Sequence, residues 1–156
     1  MIYYINANLL DSDCNYICHQ VNCRAKMGSG VAKQIRDKWP EVFSSYMRVS
    51  NVHALGRSQI VELEKPNIPM QCVVNMFAQE DYGYNGKRYT SYDAFWSCLG
   101  KIKDSVPKGS TIGFPKKIGC DRGGANWPVI LEMITEVLGV EYKVFIYYLE
   151  GDDGTY

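Results

Sequence analysis

Tyr16-Ile17-Cys18-His19-Gln20-Val21-Asn22 runs through residues 23–30, with Gly28-Ser29-Gly30 at their end, and then into Val31, Ile35 and Trp39. The first stretch is rich in β-branched and aromatic side chains and predicts a strand. Val31, Ile35 and Trp39 recur every four residues, a helical stripe that Pro40 ends. This order of strand, glycine-bearing loop and helix sets the pattern for the rest of the chain. Upstream, residues 1–6 read as another strand. Downstream, Pro40 suits the first turn of a short second helix carrying Val42, Phe43, Tyr46 and Met47. Residues 59–63 and 71–77 are the next predicted strands.

Tyr92, Phe95, Trp96, Leu99 and Ile102 mark a further helix, with Thr90 and Asp93 spaced like a capping box. Residues 110–114 form a short strand stopped by Pro115. Asn126 then caps a helix that has Pro128 in its first turn. Its inner face is Val129, Ile130, Met133, Ile134 and Val137, and Gly139 stops it. Residues 142–149 are apolar almost throughout, as a strand covered on both faces requires. Strands alternating with helices predict an α/β sandwich around a largely parallel or mixed sheet.

The 156 residues are one domain's worth, with 46% apolar and 22% charged residues. We expect a single domain over residues 1–156. Lysine plus arginine number 17 and so do aspartate plus glutamate. That balance lacks the basic excess of a duplex nucleic-acid binder, so no nucleic-acid partner is expected. No apolar run reaches the ~20 residues of a membrane span, and the start lacks the pattern of a signal peptide. No membrane partner and a cytoplasmic location are the expectations. Six cysteines in such a chain read as thiols. Cys14, Cys18 and Cys23 lie near His19 and raise zinc as an idea. Their loose spacing and the lack of a second tight pair favour buried thiols, so no metal and no cofactor are expected.

Two loops stand where such folds place ligands, beyond strand carboxyl ends: residues 23–30 and the long connection 115–127. Gly28-Ser29-Gly30 opens a helix and offers unpaired amides to an anion, although Gly-x-Gly also serves plain tight turns. Position 33 is Lys33 rather than a third glycine, which disfavours a dinucleotide fingerprint, and no P-loop motif occurs. Gly119, Gly123 and Gly124 free the second loop to form an amide nest before a helix start. Arg122, Lys116 and Lys117 add charge there or serve as solvated surface. His19 reads either as a satisfied, partly buried strand residue or as a catalyst beside the first loop. Asn22 suits sugar hydroxyls. Tyr82, Tyr84, Tyr89 and Tyr92 crowd one segment; the first three suit a stacking wall, while Tyr92 belongs to a helix face.

His19-Gln20-Val21-Asn22-Cys23 followed by Met27-Gly28-Ser29-Gly30-Val31-Ala32 resembles the first ligand loop of the macrodomains, the ADP-ribose-binding modules. Val74-Asn75-Met76-Phe77-Ala78-Gln79, Arg88-Tyr89-Thr90-Ser91-Tyr92 and Ile118-Gly119-Cys120 with Trp127 follow in the same order. The resemblance is strongest to the branch of ADP-ribose 1''-phosphate phosphatases and terminal ADP-ribose protein glycohydrolases, and it implies a three-layer α/β/α sandwich. It also implies that Gly28, Ser29, Gly30, Val31 and Ala32 lie along the distal ribose and diphosphate. Gly119 and Cys120 would touch the ligand, and Asp121, Arg122, Gly123, Gly124 and Ala125 would cradle the diphosphate. Asn22 would hold the distal ribose, and Asn8 and Tyr147 would approach the adenine.

His19 matches the histidine that the yeast-type phosphatases carry, a candidate acid or base. Three positions depart from the family. Asn8 replaces a common aspartate, so it accepts without charge. No lysine stands near Asn75-Met76, where the glycohydrolases carry their nucleophile. Asn126 stands where relatives often have aspartate, and an amide caps a helix but is no general base. The resemblance therefore implies a metal-independent hydrolase acting on ADP-ribose 1''-phosphate, with His19, Asn22 and Asn126 at its centre. A non-catalytic ADP-ribose reader and a glycohydrolase acting on ADP-ribosylated protein remain open beside it.

Overall fold

The computed structural model describes residues 1–151; residues 152–156 lie outside the described part. Along the chain it places β1 (Ile2–Asn6), β2 (Tyr16–Val21), α1 (Gly30–Lys38), α2 (Pro40–Val49) and β3 (Ser58–Glu62). There follow β4 (Cys72–Phe77), α3 (Tyr92–Ser105), β5 (Thr111–Pro115), α4 (Trp127–Leu138) and β6 (Lys143–Tyr148). Single 3-10 turns occupy Leu9–Asp11 and Val52–Ala54. The six strands form one sheet in the order β1-β6-β5-β2-β4-β3. Every pairing is parallel except that of β3 with β4. This is the mixed, largely parallel sheet that the alternation of elements predicts.

Strand pleat decides the layering, because successive side chains point to opposite faces. Cys18, Val74, Ile112, Phe114 and Ile146 meet Phe95, Leu99 and Ile102 of α3 and Ile130, Ile134 and Leu138 of α4. Their neighbours Ile17, Val73 and Tyr147 join a second core with Ile35 of α1, Val42 and Tyr46 of α2, and Trp39 between the two helices. Each face of the sheet is thus covered by two helices, which makes three layers.

Helix starts follow local chemistry, with one correction. The Oδ1 of Asn126 accepts from the Val129 N–H at 3.2 Å, and Pro128 sits in the first turn of α4. For α3 the cap is Ser91, whose Oγ accepts from the Ala94 N–H, so Thr90 and Asp93 do not form the capping box. Thr90 is buried and its hydroxyl donates to the Gly119 carbonyl instead. A tertiary acceptor outcompetes the local one here.

His19 stands opposite Asn75 on β4, which stands opposite Gln59 on β3. The Asn75 amide donates to Gln59 Oε1, leaving its Oδ1 to accept from the His19 Nε2–H. The Gln59 amide donates onward to the Ser45 carbonyl of α2. His19 is 0% exposed and its Nδ1 has no partner. Burial lowers its pKa from 6.5 to about 4, so the imidazole is neutral near pH 7.

Two outcomes follow for stability. Asn126→Ala should lower the free energy of unfolding in urea by about 1 kcal/mol, and Asn126→Asp should restore most of it. For His19 the unfolded chain takes up a proton near pH 6.5 and the folded chain only near 4. Stability held above pH 6.5 is therefore lost as pH falls through that window, by about 3 kcal/mol when complete. In urea titrations between pH 7 and pH 4, His19→Gln should show a shallower loss than the parent. Equal slopes would remove the histidine's part in acid lability.

Candidate functional site

Two neighbouring parallel strands, β2 and β5, send the chain to opposite faces of the sheet: β2 leads to α1 and β5 to α4. Their loops diverge and leave a crevice at the strand carboxyl ends, the switch point of an open α/β sheet. Residues 78–90, which follow β4, close a third side. Between them lies a cavity of about 440 Å³.

The first wall is the turn into α1. Among the described residues, none of the amides of Gly28, Ser29, Gly30, Val31 and Ala32 donates to a protein acceptor. Gly30 holds φ at 61°, where a side chain would be strained, and Gly28 has open space beside it. The second wall follows β5. Ile118 and Cys120 donate their amides back to Pro115 and Lys117, while those of Gly119, Asp121, Arg122 and Gly123 have no such acceptor. Unpaired amides on two facing loops give an anion two sets of donors without a formal charge.

Side chains lock these walls together. The Gln20 amide donates to both Gln79 Oε1 and Thr90 Oγ1 at 2.7 Å. Gln79 in turn donates to the Asp81 carbonyl, and the Thr90 hydroxyl to the Gly119 carbonyl. The Gly123 carbonyl accepts from the Tyr89 and Thr90 amides. A Cβ on Gly123 would lie 2.3 Å from Thr90 Oγ1 and 2.4 Å from the Gly119 carbonyl oxygen, so only glycine fits. At the mouth the Arg122 guanidinium lies 4.2 Å from the ring centre of Tyr84, joining the second and third loops. Lys26, Lys116, Lys117 and Arg122 line the cavity against one carboxylate, Asp121.

Of the residues singled out from sequence, Asn22, Gly28, Ser29, Gly30, Val31, Ala32, Gly119, Asp121, Arg122 and Gly123 line this cavity. Tyr82 and Tyr84 do too. Asn8, Cys120, Gly124, Ala125, Asn126 and Tyr147 are not on its wall. The Asn8 Oδ1 caps the first 3-10 turn by accepting from Leu10, and the Tyr147 hydroxyl sits 3.7 Å from Cys14 Sγ. Asn126 is exposed and committed to capping α4.

His19 needs the plainest correction as an acid or base. It shares the pleat of Ile17 and Val21, lies under α1 and α2, and is neutral at pH 7. Asn22 lines the cavity, but its Oδ1 accepts from Arg24 and Tyr46 and its Nδ2 donates to the Lys26 carbonyl. It shapes the loop rather than offering a free amide oxygen to sugar. Cys14, Cys18 and Cys23 are buried, and burial raises each thiol's pKa. Among the described residues no three His, Cys, Asp or Glu side chains converge as metal ligands do. Gln20, Lys26 and Gln79 are wall residues that sequence reasoning missed. Gln20 shares its strand face with the core residue Cys18, and no motif marks it as a donor hub.

Residues 18–134 match the model of the Macro domain family. An ADP-ribose 1''-phosphate phosphatase of Candida albicans is 25% identical over 105 residues, 59% of this chain and 67% of that protein. A DNA ADP-ribosyl glycohydrolase of Thermus aquaticus is 21% identical over 93% of this chain, which spans only 41% of that relative's length. Among solved structures, the Thermus aquaticus DarG macrodomain aligns with a TM-score of 0.76 at 20% identity, covering 95% of this chain and 98% of the other. Thermosipho africanus DarTG, solved in complex with ADP-ribose, gives 0.80 at 17% identity over 97% of this chain and 42% of its own. The family match spans three quarters of the residues and the sheet, the helices and the crevice agree with it: this chain belongs to the Macro domain family.

Proposed function

We propose that the cavity binds ADP-ribose and that the chain hydrolyses ADP-ribose 1''-phosphate to ADP-ribose and phosphate. One observation carries the reading: two facing sets of unpaired backbone amides, at residues 28–32 and 119–123, flank a cavity large enough for a nucleoside diphosphate sugar. The amides hold the diphosphate from both sides and fix the distal ribose against the first loop. The Candida relative, named for this activity, supports the substrate. With His19 buried, the proton falls to Asp121, the one carboxylate on the wall among the described residues. Water attacks phosphorus, its proton passes to Asp121, and the bond from phosphorus to O1'' breaks. O1'' takes up a proton as ADP-ribose leaves.

A second reading has its own observation. Tyr84 is 71% exposed at the mouth with Arg122 stacked on it, and Tyr82 stands beside it. Such a platform suits a planar base joined to the distal ribose. The Thermus relative is named a DNA ADP-ribosyl glycohydrolase. In that reading the bond from C1'' to the base breaks, and water supplies the hydroxyl to C1'' and the proton to the base nitrogen.

ADP-ribose should bind with a Kd on the order of 1 μM, about −8 kcal/mol, in calorimetry. Gly123→Glu should abolish that binding, because a carboxylate would enter the amide nest and the loop would shift. Wild-type affinity in this variant would place the diphosphate elsewhere. Release of ADP-ribose should appear from ADP-ribose 1''-phosphate and, under the second reading, from ADP-ribosylated DNA. Asp121→Asn should slow release about a hundredfold with little change in affinity, the usual loss for a general base. His19→Gln should turn over within a few-fold of the parent. Tight binding with no release from either substrate, or from ADP-ribosylated protein, would leave a reader and no enzyme.

A further inference from the structure

The chain's arginines are Arg24, Arg36, Arg48, Arg57, Arg88 and Arg122. Arg24 pairs with Glu80 and Asp81, Arg36 lies over the Phe43 ring, Arg88 over Tyr92 and Arg122 over Tyr84. Among the described residues, the guanidinium groups of Arg48 and Arg57 alone have no hydrogen bond, ion pair or ring contact. Both line a second cavity, of about 380 Å³, between the end of α2, the turn Val52–Ala54 and the start of β3. Among the described residues no aspartate or glutamate lines it.

The other polar groups of this wall are donors or already taken. His53 stands on it. The Asn51 Oδ1 accepts from the His53 amide, leaving its NH2 free. Gln59 is occupied at both ends, by Asn75 and by the Ser45 carbonyl, and the Ser58 hydroxyl donates to the Cys98 carbonyl. Arg48 in the last turn of α2 eases that helix's negative end. Arg57 is on no helix, and both arginines are exposed. Two guanidinium forks without an acid between them repel until an anion joins them, and the fork matches phosphate oxygens two at a time. The volume far exceeds a bare phosphate, and Val49, Ala54 and Phe77 supply apolar wall for a sugar or base.

We infer that this second cavity binds the phosphate of a nucleotide unit, held by Arg48 and Arg57 with His53 beside it. The site is separate from the first cavity and shares a partition with it. The loop of residues 22–26 lines the first cavity and is tied to α2 by the Ala25 amide on Ser50 Oγ and the Lys26 amide on Tyr46 Oη. Its ligand is a free mononucleotide or one unit of a single strand, and both present the same phosphate to the same forks.

The test uses the full chain at low salt with thymidine monophosphate and with an eight-residue oligothymidylate. Both should bind saturably, and the oligonucleotide should weaken steeply as salt rises. Arg48→Ala/Arg57→Ala should weaken binding at least tenfold while the affinity for ADP-ribose stays at the parent value and the thermal midpoint falls by no more than about 4 °C, the loss of a helix-end charge. Binding of the monophosphate as well as the strand identifies a nucleotide site; binding of the strand alone identifies a phosphodiester track. In the parent protein the His53 ring resonances should move on addition of the ligand that binds, and those of His19 should not. This second readout holds even if the double variant fails to fold. No saturable binding of either probe, parent-like affinity in the folded double variant, or an unmoved His53 signal at saturation would overturn the inference.

Discussion

Parallel strands β2 and β5 lie side by side yet deliver their chain to opposite faces of the sheet. Between the two diverging loops, backbone amides make up a large part of the cavity wall. Near the start of α1 the amides have no carbonyl a turn behind them to bond. In the loop after β5, Gly119 holds a left-handed φ of 74°, and the amides of Gly119, Asp121, Arg122 and Gly123 have no acceptor among the described residues. The positive character of the cavity therefore comes from peptide dipoles as well as from Lys26, Lys116, Lys117 and Arg122. That resolves an apparent conflict between a chain of zero net charge and a site suited to a diphosphate. Formal charge measures ionised side chains, while an amide nest contributes partial charge that no composition records.

A wall made of backbone needs something to hold it, and the hub is Gln20. Its two amide hydrogens are both committed, to Gln79 and to Thr90, so its oxygen must face the other way. That oxygen is buried without a partner, 2.7 Å from where a Cβ on Gly119 would lie. Glycine at 119 is thus required twice, by its backbone angle and by this close approach. Thr90 passes the connection to the Gly119 carbonyl, and Gly123 packs against the same hydroxyl. Three loops that end different strands are bound into one rim. A change at any of these five residues reaches all three walls, which is why site geometry and local stability cannot be varied separately here.

Most of the architecture is legible in the sequence because periodicity reports burial. The stripe of Val31, Ile35 and Trp39, the β-branched and aromatic stretch of residues 16–22 and the cap at Asn126 each reappear within a residue or two of their sequence positions. The two glycine loops are legible as well, since a turn before a helix start is a local event. What escapes is anything decided by a partner distant in the chain. Ser91 rather than Thr90 caps α3 because Thr90 has a better acceptor in residue 119. Asn8 and Asn22 look free on paper, yet Leu10 takes the Asn8 oxygen, Arg24 and Tyr46 take that of Asn22, and the Asn22 Nδ2 donates to Lys26. Arg48 and Arg57 vanish into an even charge count, because a sum does not distinguish paired from unpaired cations.

His19 shows the same limit most sharply. Its place before the first glycine loop suggests chemistry, but pleat parity turns it under α1 and α2 while Gln20, one residue on, lines the cavity. There it starts a single polar row across three strands, His19 to Asn75 to Gln59, ending on a carbonyl of α2. Hydrophobic neighbours such as Val73 and Val61 would accept several strand offsets at similar energy. The polar row does not: a shift of one residue would place Ile60 or Val74 where an amide is needed and strand the rest of the chain in a low dielectric. Register in β2, β4 and β3 sets where each strand stops, and those endpoints are where the cavity's loops begin. The histidine thus bears on function through the alignment of the sheet edge that carries the site, and its neutrality at pH 7 is what lets it be buried there.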